Sequence, residues 1–253
     1  MEPVFRVLEI SGEAVVALTG TRITYRGLQH IPSTGGAVVV INHTSYVDFL
    51  PAALAAKRRH RRLRFMIKAE MQQFKVVNYL IKHSKTIPVD RGAGADAYVE
   101  AVRRLRDGEL VAVYPEATIS RSFELKEFKS GAVRMALEAR APMVPLIVWG
   151  AHRLWTKDHP RRLAHAKLPV TVEVGAPLQP EGTAAELDTV LRDAMTGLLH
   201  RVQADYGSPP GAYWVPHRLG GSAPTPAEAK RRDEAELAER ARKRAQREDK
   251  SRR

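Results

Sequence analysis

The amino-acid sequence predicts an α/β fold, and three observations carry that prediction. Short continuous apolar runs recur, among them Ala37–Ile41, Leu110–Tyr114 and Met143–Val148, as buried strands require. Segments of helical period separate them, such as Asp96–Arg106, Phe128–Ala139 and Glu186–Val202. The 253 residues are 44% hydrophobic, enough for a real core in one large domain or two small ones. Strands alternating with helices give a layered architecture, with helices laid against a sheet.

Each element has its own signal. Val4–Leu18 sets Phe5, Leu8, Val15 and Leu18 near helical spacing, an amphipathic helix that either packs on the core or faces a membrane. Thr21–Arg26 alternates, with Ile23 and Tyr25 apolar, and reads as a strand. After the strand Ala37–Ile41, Phe49–Ala56 reads as a helix, because Pro51 is tolerated only in a first turn. Leu63–Ile67 is a strand, Val76–Ile81 a short amphipathic helix, and Thr86–Val89 a strand that ends in Asp90-Arg91-Gly92. Gly108 stops the helix Asp96–Arg106. Val170–Val174 alternates like an outer strand, and Glu186–Val202 carries Leu187, Leu191, Leu198 and Val202 on or near one face. From about Tyr206 the character changes. Pro209-Pro210-Gly211 and Gly220-Gly221-Ser222 break regular structure, and from Ala227 the chain is almost all Ala, Glu, Lys and Arg, either a solvated helix or disordered. The expected division is therefore a folded region over 1–205 and a tail over 206–253.

Composition excludes several chemistries. There is no cysteine, hence no disulfide framework, thiolate zinc site or cysteine nucleophile. No Gly-x-Ser-x-Gly elbow is present either, so a covalent acyl-enzyme on a familiar nucleophile is not expected. The nine histidines show no metal-ligand spacing, and no metal or cofactor is expected. A net charge of +13 favours acidic partners. The mixed signs of the tail argue against a dedicated nucleic-acid arm, and no nucleic acid is expected as a partner. No apolar run reaches the ~18 residues of a membrane span, and Glu2, Arg6, Glu9 and Glu13 interrupt any signal peptide. The expected location is cytoplasmic, soluble or peripheral on the inner face of the cell membrane.

Four segments carry or frame chemistry. In Asn42-His43-Thr44-Ser45-Tyr46-Val47-Asp48, a histidine precedes an aspartate by five positions, at a strand-to-helix turn. On a continuous helix the two would stand about 140° apart, from 3.6 residues per turn. They meet only if His43 lies before the helix and Asp48 in its opening, which Pro51 allows. In Ile87–Gly92, Arg91 at a strand end can fork onto a phosphate or simply pair with Asp90. In Val113–Ser122, Pro115 turns the chain, and Glu116, Thr118, Ser120 and Arg121 fall in a loop where polar groups can converge. Beyond it, Lys129 and Gly131 open a helix whose amides suit an anion. Ala141–Val148 is apolar, a core strand or pocket wall. The basic run Lys57-Arg58-Arg59-His60-Arg61-Arg62 suits anionic headgroups or coenzyme A phosphates, or is a solvated charge run. Trp149 and Trp155 flank the last strand of this set, at a membrane interface or in core and rim packing.

In this order and at these spacings the four segments closely resemble the 1-acylglycerol-3-phosphate O-acyltransferase family of the glycerolipid acyltransferase superfamily, over roughly Val15 to Leu178. The resemblance implies a single domain with a central mixed β-sheet flanked by helices. It implies that His43 is a general base, that Asp48 is its partner, and that Arg91 binds the acceptor phosphate. Pro115–Arg121 would complete the acceptor site, with Glu116, Ala117, Thr118 and Arg121 contacting substrate together with Asn42 and Lys129. The substrates implied are lysophosphatidic acid and an acyl-CoA or acyl-carrier-protein thioester, at an anionic membrane surface. The family's third block is usually Phe-Pro-Glu-Gly-Thr-Arg-Ser, and this chain departs from it. Tyr114 replaces Phe, Ala117 replaces Gly and so needs a backbone angle alanine can adopt, and Ile119 stands where Arg is usual. Arg121, two residues on, is the candidate for the missing charge. The chemistry expected is direct transfer in a ternary complex. Neutral histidine, with an unperturbed pKa of about 6.5, deprotonates the acceptor hydroxyl, and such a base contributes ~10²–10⁴-fold.

Overall fold

The computed structural model describes residues 3–69, 79, 84–89, 94–162 and 167–252. They divide into two compact units. One comprises residues 1–119 and 127–207, the other residues 120–126 and 208–253.

The larger unit is built on a seven-stranded mixed sheet. Its strands are β1 (Arg22–Arg26), β2 (Ala37–Ile41), β3 (Leu63–Lys68), β4 (Ile87–Val89), β5 (Leu110–Val113), β6 (Met143–Trp149) and β7 (Pro169–Val174), in the spatial order β1-β7-β6-β2-β5-β3-β4. Every pairing is parallel except β6 with β7. The strands with continuous apolar runs, β2, β5 and β6, are buried at every position and sit side by side in the middle, as strands covered on both faces must. The alternation of β7 does not make it an outer strand. It lies between β1 and β6, and β1 takes the edge. Pro145 is tolerated in central β6 because it lies one residue beyond the last β6–β7 pair, Leu146 with Val174.

Helices cover the sheet. α1 (Pro3–Thr19) packs on α2 (Phe49–Lys57), which in turn lies on β6 and β7. Gly12 is the contact between α1 and α2: a Cβ there would stand 2.6 Å from Leu50 Cδ1. α3 (Gly94–Arg106), α4 (Gly131–Ala139) and α5 (Ala184–Tyr206) pack in succession, α3 on β4 and β5, α4 on β2, and α5 on β6 and β7. Thr183 and Glu186 form a capping box that fixes the start of α5. The expected helix Val76–Ile81 and the segment Asp90-Arg91-Gly92 lie outside the described residues apart from Tyr79.

In the smaller unit the charged tail is a helix, α6 (Pro226–Arg252). Thr225 and Glu228 cap it reciprocally: the Thr225 amide donates to Glu228 Oε2 (2.8 Å) and the Glu228 amide to Thr225 Oγ1 (3.3 Å). Ala229, Asp233 and Glu236 recur at helical spacing on one face. Arg121 pairs with Asp233 and Glu236, and Lys126 with Asp233.

Candidate active site

β2 ends at Ile41 and delivers Asn42 and His43 to the carboxyl edge of the parallel strands, between β6 and β5. Reactive groups collect there in open α/β sheets, where successive connections leave in opposite directions. Asn42 is buried and continues the sheet with its side chain. Its Nδ2 donates to Val148 O (3.1 Å), and Val148 N donates to Asn42 Oδ1 (2.7 Å). Asn42 therefore clasps β6 and sets the direction in which the chain leaves β2.

The next residues form a tight turn around one carboxylate oxygen. Asp48 Oδ2 accepts the amides of Thr44 (2.8 Å) and Ser45 (2.7 Å) and lies 3.3 Å from His43 Nδ1. Asp48 stands immediately before α2, and Pro51 is the third residue of that helix, so the geometry required by the five-residue spacing is present. Asp48 is fully buried, while the His43 side chain is 21% exposed. Burial pushes the Asp48 carboxyl above its ordinary value, and His43 and the two amides oppose that push. Asp48 Oδ1 accepts no hydrogen bond among the described residues. His43 is held from two further sides. Its backbone amide donates to Glu116 Oε1 (2.8 Å), and its ring stacks on Tyr114 with centroids 4.2 Å apart. With Nδ1–H donated to Asp48, Nε2 carries the free lone pair that a general base needs.

The third segment thus supports the first from neighbouring β5. Glu116 is buried and grips the histidine's backbone. Ala117 adopts φ +58°, the left-handed conformation for which the family uses glycine. Thr118 N reaches Glu116 O (2.7 Å), and Lys129 N reaches Pro115 O (2.9 Å), which closes the loop. Ile119 is buried, as an apolar residue there should be. Arg121 belongs to the smaller unit with its carboxylate partners. Arg91 lies outside the described residues.

The segment after β6 is a participant that the four sequence segments did not contain. Gly150, at φ +96°, turns the chain. Ser45 Oγ donates to Trp155 O (2.7 Å), with Ala151 O 3.1 Å away. Tyr46 N donates to Trp155 O (3.1 Å), and Thr156 Oγ1 to Thr44 O (2.7 Å). Polar Ser45 and Thr156 were the available signal, and only tertiary structure shows that they bond the backbone of each other's segment. Trp149 is core, whereas Trp155 is half-buried beside Tyr46.

The basic run does something else. Arg61 donates to Pro32 O (2.7 Å), Gly35 O (2.8 Å) and Gly108 O (2.7 Å). Lys57 pairs with Glu13 and Arg62 with Glu9, both on α1, and Arg58 lies over the Tyr25 ring. The run leads into β3, and Gly108 precedes β5, so this cluster marks the amino edge of the sheet, opposite His43.

The chain is 29% identical to a 1-acyl-sn-glycerol-3-phosphate acyltransferase of Bacillus subtilis, over 48% of this chain and 60% of that protein. It is 30% identical to the protein of that name from Limnanthes douglasii, over 67% of this chain and 59% of the relative. It thus spans little more than half the length of such relatives. The crystal structure of the 1-acyl-sn-glycerophosphate acyltransferase from Thermotoga maritima shares the fold, with TM-score 0.67 and 21% identity over 80% of this chain and 81% of that one. A sequence model described as Acyltransferase matches residues 22–149, just over half of the chain and the whole span from β1 to β6, and the chain belongs to that family.

Proposed function

We propose that this protein transfers a fatty acyl group from an acyl-CoA or acyl-carrier-protein thioester to the sn-2 hydroxyl of lysophosphatidic acid, giving phosphatidic acid for phospholipid synthesis. The observation that carries the reading is the His43–Asp48 pair at the carboxyl edge of the sheet, in a chain of the acyltransferase family. His43 Nε2 takes the hydroxyl proton as the oxygen attacks the thioester carbonyl. The tetrahedral intermediate collapses, the C–S bond breaks, and the imidazolium returns the proton to the departing thiolate. Asp48 holds the Nδ1–H tautomer and balances the imidazolium charge. Glu116 and Tyr114 fix the ring's position, which counts because proximity catalysis falls off steeply with misplacement. The acceptor phosphate is assigned to Arg91, and the relatives' names support the acceptor's identity.

An anionic membrane surface is the working place that suits such an acceptor. On α1, Val7, Ile10, Val15 and Leu18 are exposed, 46–74% each, and present an apolar face to solvent. None of the described helices is long and apolar enough to cross a membrane, so the attachment proposed is peripheral. The deciding experiment measures coenzyme A release from oleoyl-CoA on addition of lysophosphatidic acid, with His43→Ala beside the wild type. Release that needs both the acceptor and His43 is expected. Full activity in the folded His43→Ala protein refutes the base.

A second reading keeps the chemistry and changes the acceptor to another lysophospholipid or a lipid-linked alcohol. Buried Ile119, standing where the family carries arginine, favours it. A panel of acceptors decides, and clear preference for lysophosphatidic acid removes it.

A further inference from the structure

We infer that the loop Leu154–Arg162 is the docking platform for the phosphate-bearing end of the acyl donor, with Arg161, laid on Trp155, as the phosphate contact. The inference deepens the proposed function and rests on it. The loop follows the family-matched span, which ends at residue 149. It closes on itself through Arg162 N and Leu154 O (2.8 Å). It is also part of the active-site wall, because Trp155 O accepts from Ser45 Oγ and Tyr46 N, and Thr156 Oγ1 donates to Thr44 O. Those three acceptances and donations grip the turn that carries His43. A ligand bound on this loop is thereby registered to the catalytic base.

Arg161 is exposed, and its guanidinium carbon sits 4.0 Å from the centroid of the Trp155 ring. A guanidinium held over an aromatic face can still donate through its N–H groups, and a phosphate accepts such donors well. The loop is basic: Lys157, Arg161 and Arg162 outnumber its single carboxylate, Asp158. Arg161 is the contact, and the others supply the local field.

The indirect link to the base points to the donor. Tyr46, three residues after His43, lies against Trp155 with ring centroids 4.8 Å apart and planes tilted by 38°, and Arg161 lies over Trp155 in turn. The guanidinium is thus linked to the catalytic turn through Trp155 and Tyr46. The acceptor's phosphate is only a few bonds from its reacting hydroxyl and must bind close to His43. In a pantetheine thioester a long arm separates phosphate from sulfur, and the phosphate must be held away from the reacting centre. Both acyl-CoA and an acyl-carrier protein present that chemistry, and an acidic carrier would add its surface to the same basic loop.

The test compares full-length wild type with Arg161→Gln, an exposed change. Calorimetric titration with coenzyme A itself should show affinity lowered about tenfold, the loss of a charge-assisted phosphate contact. In turnover, the KM for oleoyl-CoA should rise by a similar factor while the KM for lysophosphatidic acid stays put. The S-oleoyl thioester of N-acetylcysteamine, which has no phosphate for Arg161 to hold, should show no such rise. A larger effect with oleoyl-acyl-carrier protein than with oleoyl-CoA identifies the carrier as the source of the phosphate, and the reverse identifies coenzyme A. Unchanged coenzyme A affinity, a raised KM for the acceptor, or an equal loss with the phosphate-free thioester overturns the assignment. If wild type transfers no acyl group from any donor, the proposed function fails, and the coenzyme A titration still reads Arg161 by itself.

Discussion

Asparagine in place of Asp48 separates two things the carboxylate does: holding the turn and carrying charge. One oxygen, Oδ2, accepts from Thr44 N, Ser45 N and His43 Nδ1, while Oδ1 accepts nothing among the described residues. In Asp48→Asn the amide oxygen can take the place of Oδ2 and keep all three contacts, with the NH2 group in the place of Oδ1. The tautomer of His43 is then preserved and only the charge is lost. Opposite charges about 4 Å apart at an effective dielectric of about 20 attract by roughly 4 kcal/mol. A neutral acceptor retains about 1 kcal/mol of that as an ordinary hydrogen bond. The difference, about 3 kcal/mol in the imidazolium-like transition state, lowers kcat about 10²-fold. Asp48→Ala, which also frees two amides and the ring, should cost considerably more. Stability provides an independent check with a definite sign. Burial raises the folded pKa of Asp48 above its ordinary 3.8, so its contribution to stability is greatest below that value and is lost as pH rises through the folded pKa. Asp48→Asn removes that slope, and urea titrations across acid pH would read the change. A loss of kcat under about threefold would show that Asp48 does not balance the charge on His43. A 10⁴-fold loss with ¹⁵N shifts showing the same tautomer would refute the electrostatic arithmetic.

Asn42→Ala removes the clasp on Val148 and leaves a buried N–H and C=O unpaired, which should cost roughly 2–4 kcal/mol in chemical denaturation. Asn42→Asp should be no better, because a carboxylate repels Val148 O. Ala117→Gly should stabilise. The exposed methyl contributes little packing, the left-handed φ of +58° costs alanine about 1–2 kcal/mol, and glycine's extra unfolded-state entropy returns about 0.5–1 kcal/mol. The net gain, about 0.5–1 kcal/mol, raises Tm by a few degrees at most, and a lower Tm for the glycine variant would contradict the strain.

The central strands were legible because burial on both faces leaves nothing but apolar residues in Ala37–Ile41 and Leu110–Val113, and that pattern is local. Register between strands is not local, and alternating Val170–Val174 misleads for that reason: alternation reports which face is covered, not which neighbours pair. The His43–Asp48 pair was legible from spacing and Pro51. The roles of the polar residues around it were not. Asn42 and Glu116 resemble substrate ligands in the sequence, and the structure also gives their side chains backbone partners, Val148 and the His43 amide. A buried polar group must find a partner, and sequence does not say whether that partner is a ligand or the backbone. The Thr-x-x-Glu boxes at Thr183 and Thr225 were readable: the first marks a helix start that apolar periodicity alone placed late, and the second a helix in a tail whose composition left helix and disorder both open.

The basic cleft at the amino edge poses the same question in its sharpest form, because it is the sort of concavity in which a phosphate site would first be sought. Its volume is about 610 Å³, and Lys57, His60, Arg61, Arg62 and Arg64 line it with Glu9 and Glu109. The cations there serve the fold. Arg64 pairs with Glu109 (2.9 Å), Arg62 with Glu9, and Arg61 ties three separate carbonyls together. Arg61→Ala should therefore behave as a stability variant. Three charge-assisted bonds at about 1 kcal/mol net each, less what water restores at Gly35 and Gly108, give a loss of roughly 2–3 kcal/mol. The surviving folded protein should keep its kcat and its KM for oleoyl-CoA, in contrast to Arg161→Gln, for which stability holds and KM rises. The opposite pattern, a raised donor KM in Arg61→Ala with unchanged stability, would move the donor phosphate to the far edge of the sheet. Phosphate and sulfur would then lie at opposite ends of β2 and β5, whose residues are buried throughout.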